Sequence, residues 1–486
     1  MTFIFTMDIK YDRFRFNELL TIIYSEINMI SFTTPNRRGF MTLATSAGLA
    51  SLFAPKFLHA QVPPAVPPLP PFAEASRQAW IFTVPLVEMA LARTKMLKTT
   101  LPNTFLHKRI LSDWQDRFIT TPNNDTLYSI AWLDLAAGPV QLQLPPTRDR
   151  YISAALIDTY TNNVAILGSR TTGNDGGSFT IIGPEQSSHS PTDIRSPTRW
   201  ACLLIRTLVN GHQDLSAAHD VQDRIVLQAP SVAKPPALTI DRNAPWQDYF
   251  SAAQSLLAES PAFATDEALL QKIAPLGLSA NHRFDPNSFS DAQAAEIRLG
   301  LDHAKSDLAN RSTLGTAQNG WFWPKPDLGD FKQDYLYRAQ VAVGGLLALP
   351  NDEALYLVAA LTPEQQACPA GKSLLLHFSA GQLPPVNAFW SLSLYEATPE
   401  HQYFFTRNPI NRYAIGDRTP GLIKNTDGSL DIIISRQKPA NPKQSANWLP
   451  APPHAPFGLF LRTYMPQQTL LNHTWTVPTL QLVDTP

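Results

Sequence analysis

The pattern of hydrophobic and polar positions predicts two β-rich regions in this chain. From about residue 117 to 230, short apolar runs recur between clusters of Gly, Pro, Asn and Asp. The run VQLQLP at 140–145 alternates strictly, which is typical of a strand with one wet face. Similar runs return from about residue 353, among them SLLLHFS, FWSLSLYEA and FGLFLRTYMP. Regular turns between short strands favour a β-sandwich or a barrel in each region.

A helical period precedes the first β-rich region. Apolar residues from Trp80 to Leu91 share one face at a spacing of three to four positions. This spacing predicts a helix over residues 72–98, which Pro85 should kink or delay because proline removes a backbone donor.

Helical periodicity also separates the two β-rich regions. Residues 244–315 contain a clear apolar stripe, for which Ser290 is the predicted N-cap. The segment 333–349 predicts one more helix, which runs through Gly344 and Gly345. The two glycines would permit close packing of this helix against its neighbours.

The N-terminal segment has the layout of an export signal. Arg37 and Arg38 form its charged start, and Met41–Phe53 is a short, weakly apolar middle. Ala60 stands at a small-residue cleavage site. Paired arginines followed by glycine and phenylalanine resemble the twin-arginine signal, which exports proteins already folded. The alternative is an ordinary secretory signal or a tethering helix, although the apolar run is too short to span a bilayer.

The patterns together predict a multidomain α+β protein. It consists of two antiparallel β-sandwich-like domains joined by a helical segment, after a cleaved signal peptide. Met29 is the expected true start, since the residues before it fit poorly ahead of a signal. The predicted order is an over-extended start at 1–28, a twin-arginine signal peptide at 29–60, a Pro-rich linker at 61–71, an N-terminal helix plus β-domain at 72–240, a helical segment at 241–350 and a C-terminal β-domain at 351–486.

Composition restricts the classes of function. The chain has 486 residues, of which 44% are apolar and 16% charged, and its formal net charge is −1. This balance gives no electrostatic case for binding nucleic acid or an anionic membrane surface. Cys202 and Cys368 are too few for a disulfide scaffold or a thiolate metal cage. They form either one bridge in an oxidising compartment or two buried free thiols.

The sequence contains no familiar catalytic or cofactor motif. It has no G-x-S-x-G elbow, no H-E-x-x-H and no P-loop, so the cofactor stays unknown. His212 and His219 stand near two aspartates, and two imidazoles with a carboxylate can form an open metal site. The same stretch is also typical of a polar connector, and we predict no metal ligands.

Polar and aromatic side chains at strand ends and in loops are the candidates for ligand binding. Arginine offers a planar fork for carboxylate or phosphate, while tyrosine and tryptophan offer flat faces for sugars or aromatic rings. The predicted ligand-binding residues are Asn124, Tyr128, Tyr160, Arg170, Trp390, Tyr413, Trp448 and Arg462. Alternatively, such side chains only tie loops together through hydrogen bonds to the backbone.

Asp125, Asp158 and Arg412 are the predicted catalytic residues. Asp125 and Asp158 would face one cleft as an acid/base pair if their strands are adjacent, because a close carboxylate raises the pKa of its neighbour. The competing interpretation makes Asp125 the acceptor of an Asx-turn that launches the strand LYSIAWLDL.

Several phrases of the sequence carry a family resemblance. They include PNNDTLYSIAWLDL and DRYISAALIDTYTNN in the first half, and FWSLSLYEA, NRYAIGD, DGSLDIII, NWLPAP and FLRTYMP in the second. In this order they resemble a bacterial two-domain family known as paired domains of unknown function, numbers twelve fifty-four and twelve fourteen. The resemblance covers residues 72–483 and implies two β-sandwich-like domains joined by helices, without a settled activity.

Two hypotheses of function remain open at this level. In the first, the chain is an exported hydrolase acting on a small polar or saccharide-like substrate in a cleft between the β-domains. In the second, it is a non-catalytic periplasmic or surface protein that binds a ligand, glycan or partner subunit. The expected partners are the twin-arginine export machinery, a small-molecule or glycan ligand and a second copy of the chain, with no nucleic acid.

Overall fold

The computed structural model describes residues 68–117, 120–279, 284–399 and 402–484. The predicted signal peptide therefore lies outside the described residues. The helices described are α1 Pro71–Met96, α2 Leu215–Asp223, α3 Trp246–Glu259, α4 Glu267–Ile273, α5 Asp291–Ala309, α6 Tyr335–Gly344, α7 Pro363–Ala367, α8 Pro442–Ala446 and α9 Gln468–Leu471.

The first β-domain lies between residues 106 and 228 and consists of two sheets. Its strands are β1 Leu106–His107, β2 Thr126–Asp134, β3 Val140–Leu144, β4 Ile152–Asp158, β5 Asn163–Gly168, β6 Gly177–Ile182, β7 Ile194–Arg195, β8 Trp200–Leu208 and β9 Val226–Gln228. A five-stranded antiparallel sheet has the order β1-β2-β8-β4-β5, and a four-stranded sheet has the order β7-β6-β3-β9. Every residue of β8 is buried, since this strand lies at the centre of the larger sheet.

The second β-domain lies between residues 315 and 484 and also consists of two sheets. Its strands are β10 Gly315–Gln318, β11 Trp321–Pro324, β12 Ala354–Ala359, β13 Lys372–Phe378, β14 Val386–Ala397, β15 Tyr403–Phe404, β16 Ala414–Gly416, β17 Leu430–Ser435, β18 Trp448–Pro450, β19 Phe457–Pro466 and β20 Gln481–Asp484. The larger sheet has the order β10-β11-β12-β19-β14-β15, with β16 also paired to β14, and the smaller has the order β18-β17-β13-β20.

The two sheets of each β-domain share one apolar core. Alternate residues of β2, β4 and β8 pack with residues of β3 and β6 in the first domain. Residues of β12, β14 and β19 pack with those of β13 and β17 in the second. The sheets are antiparallel as predicted except at two edges, where β6 pairs with β7, and β17 with β18, in parallel. The chain is thus a multidomain α+β protein rich in β-structure.

The helical segment surrounds α1, which packs against α3, α4, α5 and α6. Ser290 caps α5 as predicted, since its hydroxyl accepts a hydrogen bond from Gln293 N and its own backbone N–H donates to the side-chain oxygen of Gln293. Pro85 does not delay α1, which begins at Pro71 and continues through the proline. The predicted passage of α6 through both glycines was wrong, because the helix ends at Gly344 and Gly345 is not helical.

A third core joins the two β-domains. It contains residues of β2, β4 and β8 on the face opposite their own smaller sheet, together with the end of α1. Phe389 and Tyr464, from the larger sheet of the second domain, complete it. Phe389 and Tyr464 stack with ring centroids 4.1 Å apart, and the Tyr151 ring packs edge-on against both. The centre of the interface is therefore made of packed aromatic rings, like the core of a domain.

Candidate functional site

The polar part of this interface begins on the first β-domain with Arg206. In the five-stranded sheet, Arg206 on β8 lies directly opposite Tyr128 on β2 and Ser153 on β4. Residues directly opposite in neighbouring strands point to the same face. The guanidinium carbon of Arg206 lies 5.6 Å from the centre of the Tyr128 ring. A cation, a hydroxyl and an aromatic ring therefore meet on the face that looks toward the second domain.

The facing sheet of the second β-domain carries a similar row. Arg462 on β19 lies directly opposite Tyr356 on β12 and Ser391 on β14. The guanidinium carbon of Arg462 is 5.2 Å from the Tyr356 ring centre, and Tyr356 donates to the Tyr464 hydroxyl at 2.9 Å. We call the combined group the interdomain cluster, which comprises Asn123, Asp125, Tyr128, Tyr151, Ser153, Arg206, Tyr356, Ser391, Arg418, Arg462 and Tyr464.

The loop before β2 ties the two faces together. Asn123 Nδ2 donates to the Tyr464 hydroxyl at 2.7 Å. Asp125 accepts at one carboxylate oxygen from Arg418 Nη2 and at the other from the Ser391 hydroxyl, each at 2.6 Å. Each carboxylate oxygen of Asp125 therefore has a partner on the second domain, and Asp125 is buried.

The turn ahead of β2 is formed by a different residue from the one predicted. The side-chain oxygen of Asn123 accepts from the backbone N–H of Asp125 at 2.6 Å, which is the bond of an Asx-turn. The carboxylate of Asp125 is therefore free to cross the interface. Asn124 between them is half-buried.

A second connection crosses the interface at Glu353, which precedes β12 and is fully buried. The Tyr151 hydroxyl donates to Glu353 Oε1 at 2.6 Å, and Arg170 Nε donates to Glu353 Oε2 at 2.6 Å. Arg170 also pairs with Asp352 at 2.8 Å. The predicted ligand residue Arg170 thus has two carboxylate partners already.

Arg206 has no such partner. It is 7% exposed, and no carboxylate lies within ion-pair distance of it in the described part of the chain. Its Nε and Nη1 are buried without a hydrogen-bond partner, while Nη2 has only a long contact of 3.5 Å to the Leu347 carbonyl. The Ser153 hydroxyl beside it is equally without a partner among the described residues. Unsatisfied buried groups of this kind call for a specific explanation.

Arg462 provides the contrast on the facing sheet. It is equally buried, yet its Nη1 donates to Ser393 Oγ at 2.9 Å and to the Tyr395 hydroxyl, and its Nη2 donates to the Thr121 carbonyl at 2.9 Å. These bonds fix the chain just ahead of β2 against the second domain. Arg462 therefore holds the two domains in position, whereas Arg206 has buried donors without an acceptor.

Burial changes the proton affinities of several groups around the cluster. It raises the pKa of Tyr395 to about 12, although Arg462 beside it acts in the opposite direction. It raises the pKa of Tyr464 well above the ordinary tyrosine value, with further contributions from Tyr356 and Asp125. It also raises the pKa of Asp417, next to Arg418, to about 6. Burial likewise raises the pKa of Tyr151 and Tyr356, so these two tyrosines and Tyr464 are neutral donors at physiological pH.

Asp158 does not join Asp125. It lies at the far end of β4, six residues beyond Ile152, which amounts to about 20 Å along a strand. Asp158 accepts from the backbone N–H groups of Tyr160 and Asn162 and is a turn residue. Burial raises its pKa to about 6. The predicted acid/base pair is therefore not formed, because the two carboxylates flank opposite ends of one sheet.

Most of the other predicted residues serve the scaffold. Arg412 donates to the carbonyls of Ala446 and Trp448, and the Trp448 indole donates to the Ser435 carbonyl. Tyr160 is buried, and its hydroxyl donates to the Ser260 carbonyl. Trp390 packs on Phe378 in the second core, and Tyr413 packs on Phe405. The structure brings together Asp125, Tyr128 and Arg462, with Arg170 at the margin.

The structure gives no support to a metal site at the histidines or to a bridge between the cysteines, within the residues that it describes. His219 bonds to the Arg109 carbonyl at 2.6 Å. Within the described ranges, no three His, Cys, Asp or Glu side chains are grouped so as to hold a metal ion. Cys202 and Cys368 are both buried and unpaired, one in each β-domain, which decides between the two alternatives for the thiols.

The residues missed from the sequence are Arg206, Tyr151, Glu353, Tyr356 and Arg418. The sequence did contain a feature that could have pointed to Arg206. WACLLIRTL contains one charged residue in a fully buried strand of nine that has only one other polar residue, Thr207. Such a charge is costly to bury and is retained for a reason.

Two sequence-family models match the chain, one in each half. The first, described as a protein of unknown function (DUF1254), matches residues 102–229, and the second, described as a protein of unknown function (DUF1214), matches residues 353–468. A comparison with curated protein sequences found no match.

Solved structures provide two further comparisons. The VPA0106 protein from Vibrio parahaemolyticus is similar with a TM-score of 0.65 and 21% identity, over 85% of this chain and 100% of that chain. An uncharacterized protein from Burkholderia cenocepacia has a TM-score of 0.43 and 12% identity, over 85% of this chain and 95% of that chain. The likeness to the first shows a shared fold. With its two matching domains in this order, the chain belongs to the two-domain family that pairs these domains of unknown function.

Proposed function

We propose that this protein binds a small oxyanion, a carboxylate or a phosphate, between its two β-domains. The observation that supports the proposal is the buried Arg206 guanidinium, which has two nitrogens without a hydrogen-bond partner and no carboxylate partner among the described residues. Arginine stays protonated at physiological pH, so it cannot avoid the cost of burial by losing its charge. A bound oxyanion would supply the missing acceptors.

The surroundings of Arg206 suit such a ligand. The Ser153 hydroxyl provides a further donor on the same face. Tyr128 and Tyr356 are half-buried, so this side of the cluster is in contact with solvent. An anion entering past the two tyrosine rings would reach a cation in a poorly solvated position, where charge-assisted hydrogen bonds are strong.

We favour binding over hydrolysis because both predicted catalytic carboxylates already have hydrogen-bond partners. Asp125 is held by Arg418 and Ser391, and Asp158 is held by the turn that follows β4. Neither has a free oxygen beside Arg206. We therefore assign the cluster to recognition and give no catalytic role to the predicted pair or to Arg412.

We further propose that the protein is exported in the folded state and acts in the periplasm or at the cell surface. This rests on Arg37, Arg38 and the apolar run after them, which lie outside the described residues. Among the helices that the structure describes, none has the length and apolarity to cross a membrane. We also infer that each β-domain is a sandwich, since its two sheets share one apolar core.

The binding proposal is tested by thermal unfolding of the purified protein with inorganic phosphate, acetate and succinate as separate probes. A ligand at a hundredfold excess over its Kd stabilises a protein by about 2.7 kcal/mol, which raises the melting temperature by several degrees. We expect at least one probe to raise the melting temperature of the wild-type protein and none to raise that of Arg206→Met.

The matched control is Arg412→Met, which also removes a partly buried guanidinium, but one that donates to backbone carbonyls outside the cluster. This variant should keep the full shift. An equal shift in Arg206→Met, or a wild-type protein that responds to none of the three anions, would overturn the proposal.

A further inference from the structure

A groove of about 480 Å³ lies on the first β-domain, apart from the interdomain cluster. It is lined by the end of β2 at Asp134, the start of β8 at Trp200, the end of α3 at Glu259 and the segment 232–236. Ala136 and the alanine, valine and proline residues of that segment make most of the wall apolar. The volume is in the usual range of sites for small molecules.

The charged side chains that line and underlie this groove form two ion pairs, and one lysine has no carboxylate partner among the described residues. Arg199 is paired with Asp134 through two hydrogen bonds, of 2.8 Å and 2.7 Å. Glu259 is paired with Arg93 at 3.0 Å. Among the described residues, Lys234 has no carboxylate partner, and its Nζ reaches only a backbone carbonyl oxygen, at 3.5 Å. The groove is therefore locally positive and suits a single negative charge.

The floor of the groove is formed by a buried indole that packs against two cations. Trp200 is buried, with the guanidinium carbon of Arg93 4.3 Å and that of Arg199 5.6 Å from its ring centre. Both arginines are held by their carboxylates, so the floor is in place before any ligand arrives.

We propose that this groove is a second binding site, which takes a small organic carboxylate. The carboxylate lies at Lys234, and the apolar body lies against Pro235, Pro236 and Ala136. A bare inorganic anion would leave the apolar wall uncovered, whereas a neutral ring would leave Lys234 without a counter-charge. A molecule with both parts satisfies the whole groove. This site does not depend on the oxyanion proposed at Arg206.

Benzoate and benzamide form a matched pair of probes, because they share a ring and differ in charge. Binding to the full protein is measured by ligand-observed saturation-transfer NMR, with dissociation constants from titration. We expect benzoate to bind more tightly than benzamide, by roughly three- to fivefold, the range of an exposed ion pair. Equal affinities for the two probes would overturn the assignment of a carboxylate.

Four variants locate the binding. Arg206→Met removes any carboxylate bound at the interdomain cluster, so the other three substitutions are measured in this background, in which benzoate should still bind. Ala136→Phe fills the groove from an exposed position and should abolish this binding of benzoate. Lys234→Ala should weaken benzoate to the level of benzamide, while Lys234→Arg should restore it. Wild-type affinity in both Ala136→Phe and Lys234→Ala, or loss of binding in Arg206→Met, would overturn the groove as the site.

Discussion

Asp125 and Arg418 form an ion pair of 2.6 Å between residues 293 positions apart in the chain, one from each β-domain. The Asp125 side chain is 7% exposed and that of Arg418 22%. The same carboxylate accepts from Ser391, which fixes the loop before β2 on the second domain. Asp125, which precedes β2 in the sequence, therefore links the first β-domain to the second.

The first prediction concerns the strength of this connection. Asp125→Asn keeps the shape of the side chain but leaves the Arg418 guanidinium with only the more distant carboxylate of Asp417, at 3.6 Å. We expect a loss of roughly 1–3 kcal/mol in the free energy of unfolding, since Arg418 is only partly buried. Urea denaturation measures it. The control is Lys372→Ala, which removes an exposed pair with Asp484 and should change nothing measurable. Wild-type stability in Asp125→Asn would contradict the assignment.

The second prediction compares the two buried arginines. Without added anion, Arg206→Met should stabilise the protein by about 1–3 kcal/mol, because it replaces an uncompensated buried charge with an apolar side chain of similar length. Arg462→Met should destabilise it by about 3 kcal/mol, because the bonds to Ser393, Tyr395 and the Thr121 carbonyl are lost. Denaturation of both variants in anion-free buffer tests the opposite signs. Destabilisation by both would mean that Arg206 is structural.

The third prediction concerns pH. The pKa of Asp158 is raised from 3.8 to about 6 in the folded protein, by burial. The folded state then binds the proton more tightly than the unfolded state, so the stability that Asp158 contributes is complete below pH 3.8 and is lost as pH rises to about 6. The loss amounts to about 3 kcal/mol.

Asp158→Asn removes this titration. The stability of the wild-type protein relative to the variant should therefore fall between about pH 4 and about pH 7, as measured by urea denaturation across that range. A difference that does not change with pH would show that the carboxyl is ionised throughout.

The fourth prediction concerns the two thiols. Burial raises the pKa of both thiols, of which Cys202 lies in the core between the two β-domains and Cys368 in the core of the second. We expect neither to react with a thiol reagent such as Ellman's reagent in the native protein, and both to react once the chain is unfolded in denaturant without a reductant. A single bridge would leave no reactive thiol in either state.

The fifth prediction concerns a small cavity of about 10 Å³ between α1, α3 and the first sheet, which has room for one water molecule. Its lining includes Arg93, Trp132, Thr159 and Ser260, each with a buried polar atom that has no partner among the described residues. A water there would accept from the two N–H groups and donate to the two hydroxyls. A high-resolution crystal structure should show it, and a dry cavity would contradict this.

The features that could be predicted from the sequence are local ones. The capping of α5 by Ser290 depends on residues three positions apart, so the signal and the structure coincide. The end of α6 at Gly344 was missed because a glycine pair permits both close packing and a stop, and only the surrounding contacts decide between them.

The candidate site depends on contacts that no local pattern encodes. The partners of Asp125 are 266 and 293 positions away. Arg206 and Arg462 each stand alone in an apolar strand, yet one lacks partners and the other has several. Their sequences do not distinguish them, because the difference arises from what the facing sheet presents.

The stacked pair Phe389 and Tyr464 has a consequence for the production of this protein. The core that contains the pair takes residues from both β-domains, so a fragment with only one of the domains would expose an apolar face. We expect such a fragment to aggregate when it is expressed alone, because large exposed apolar patches promote association.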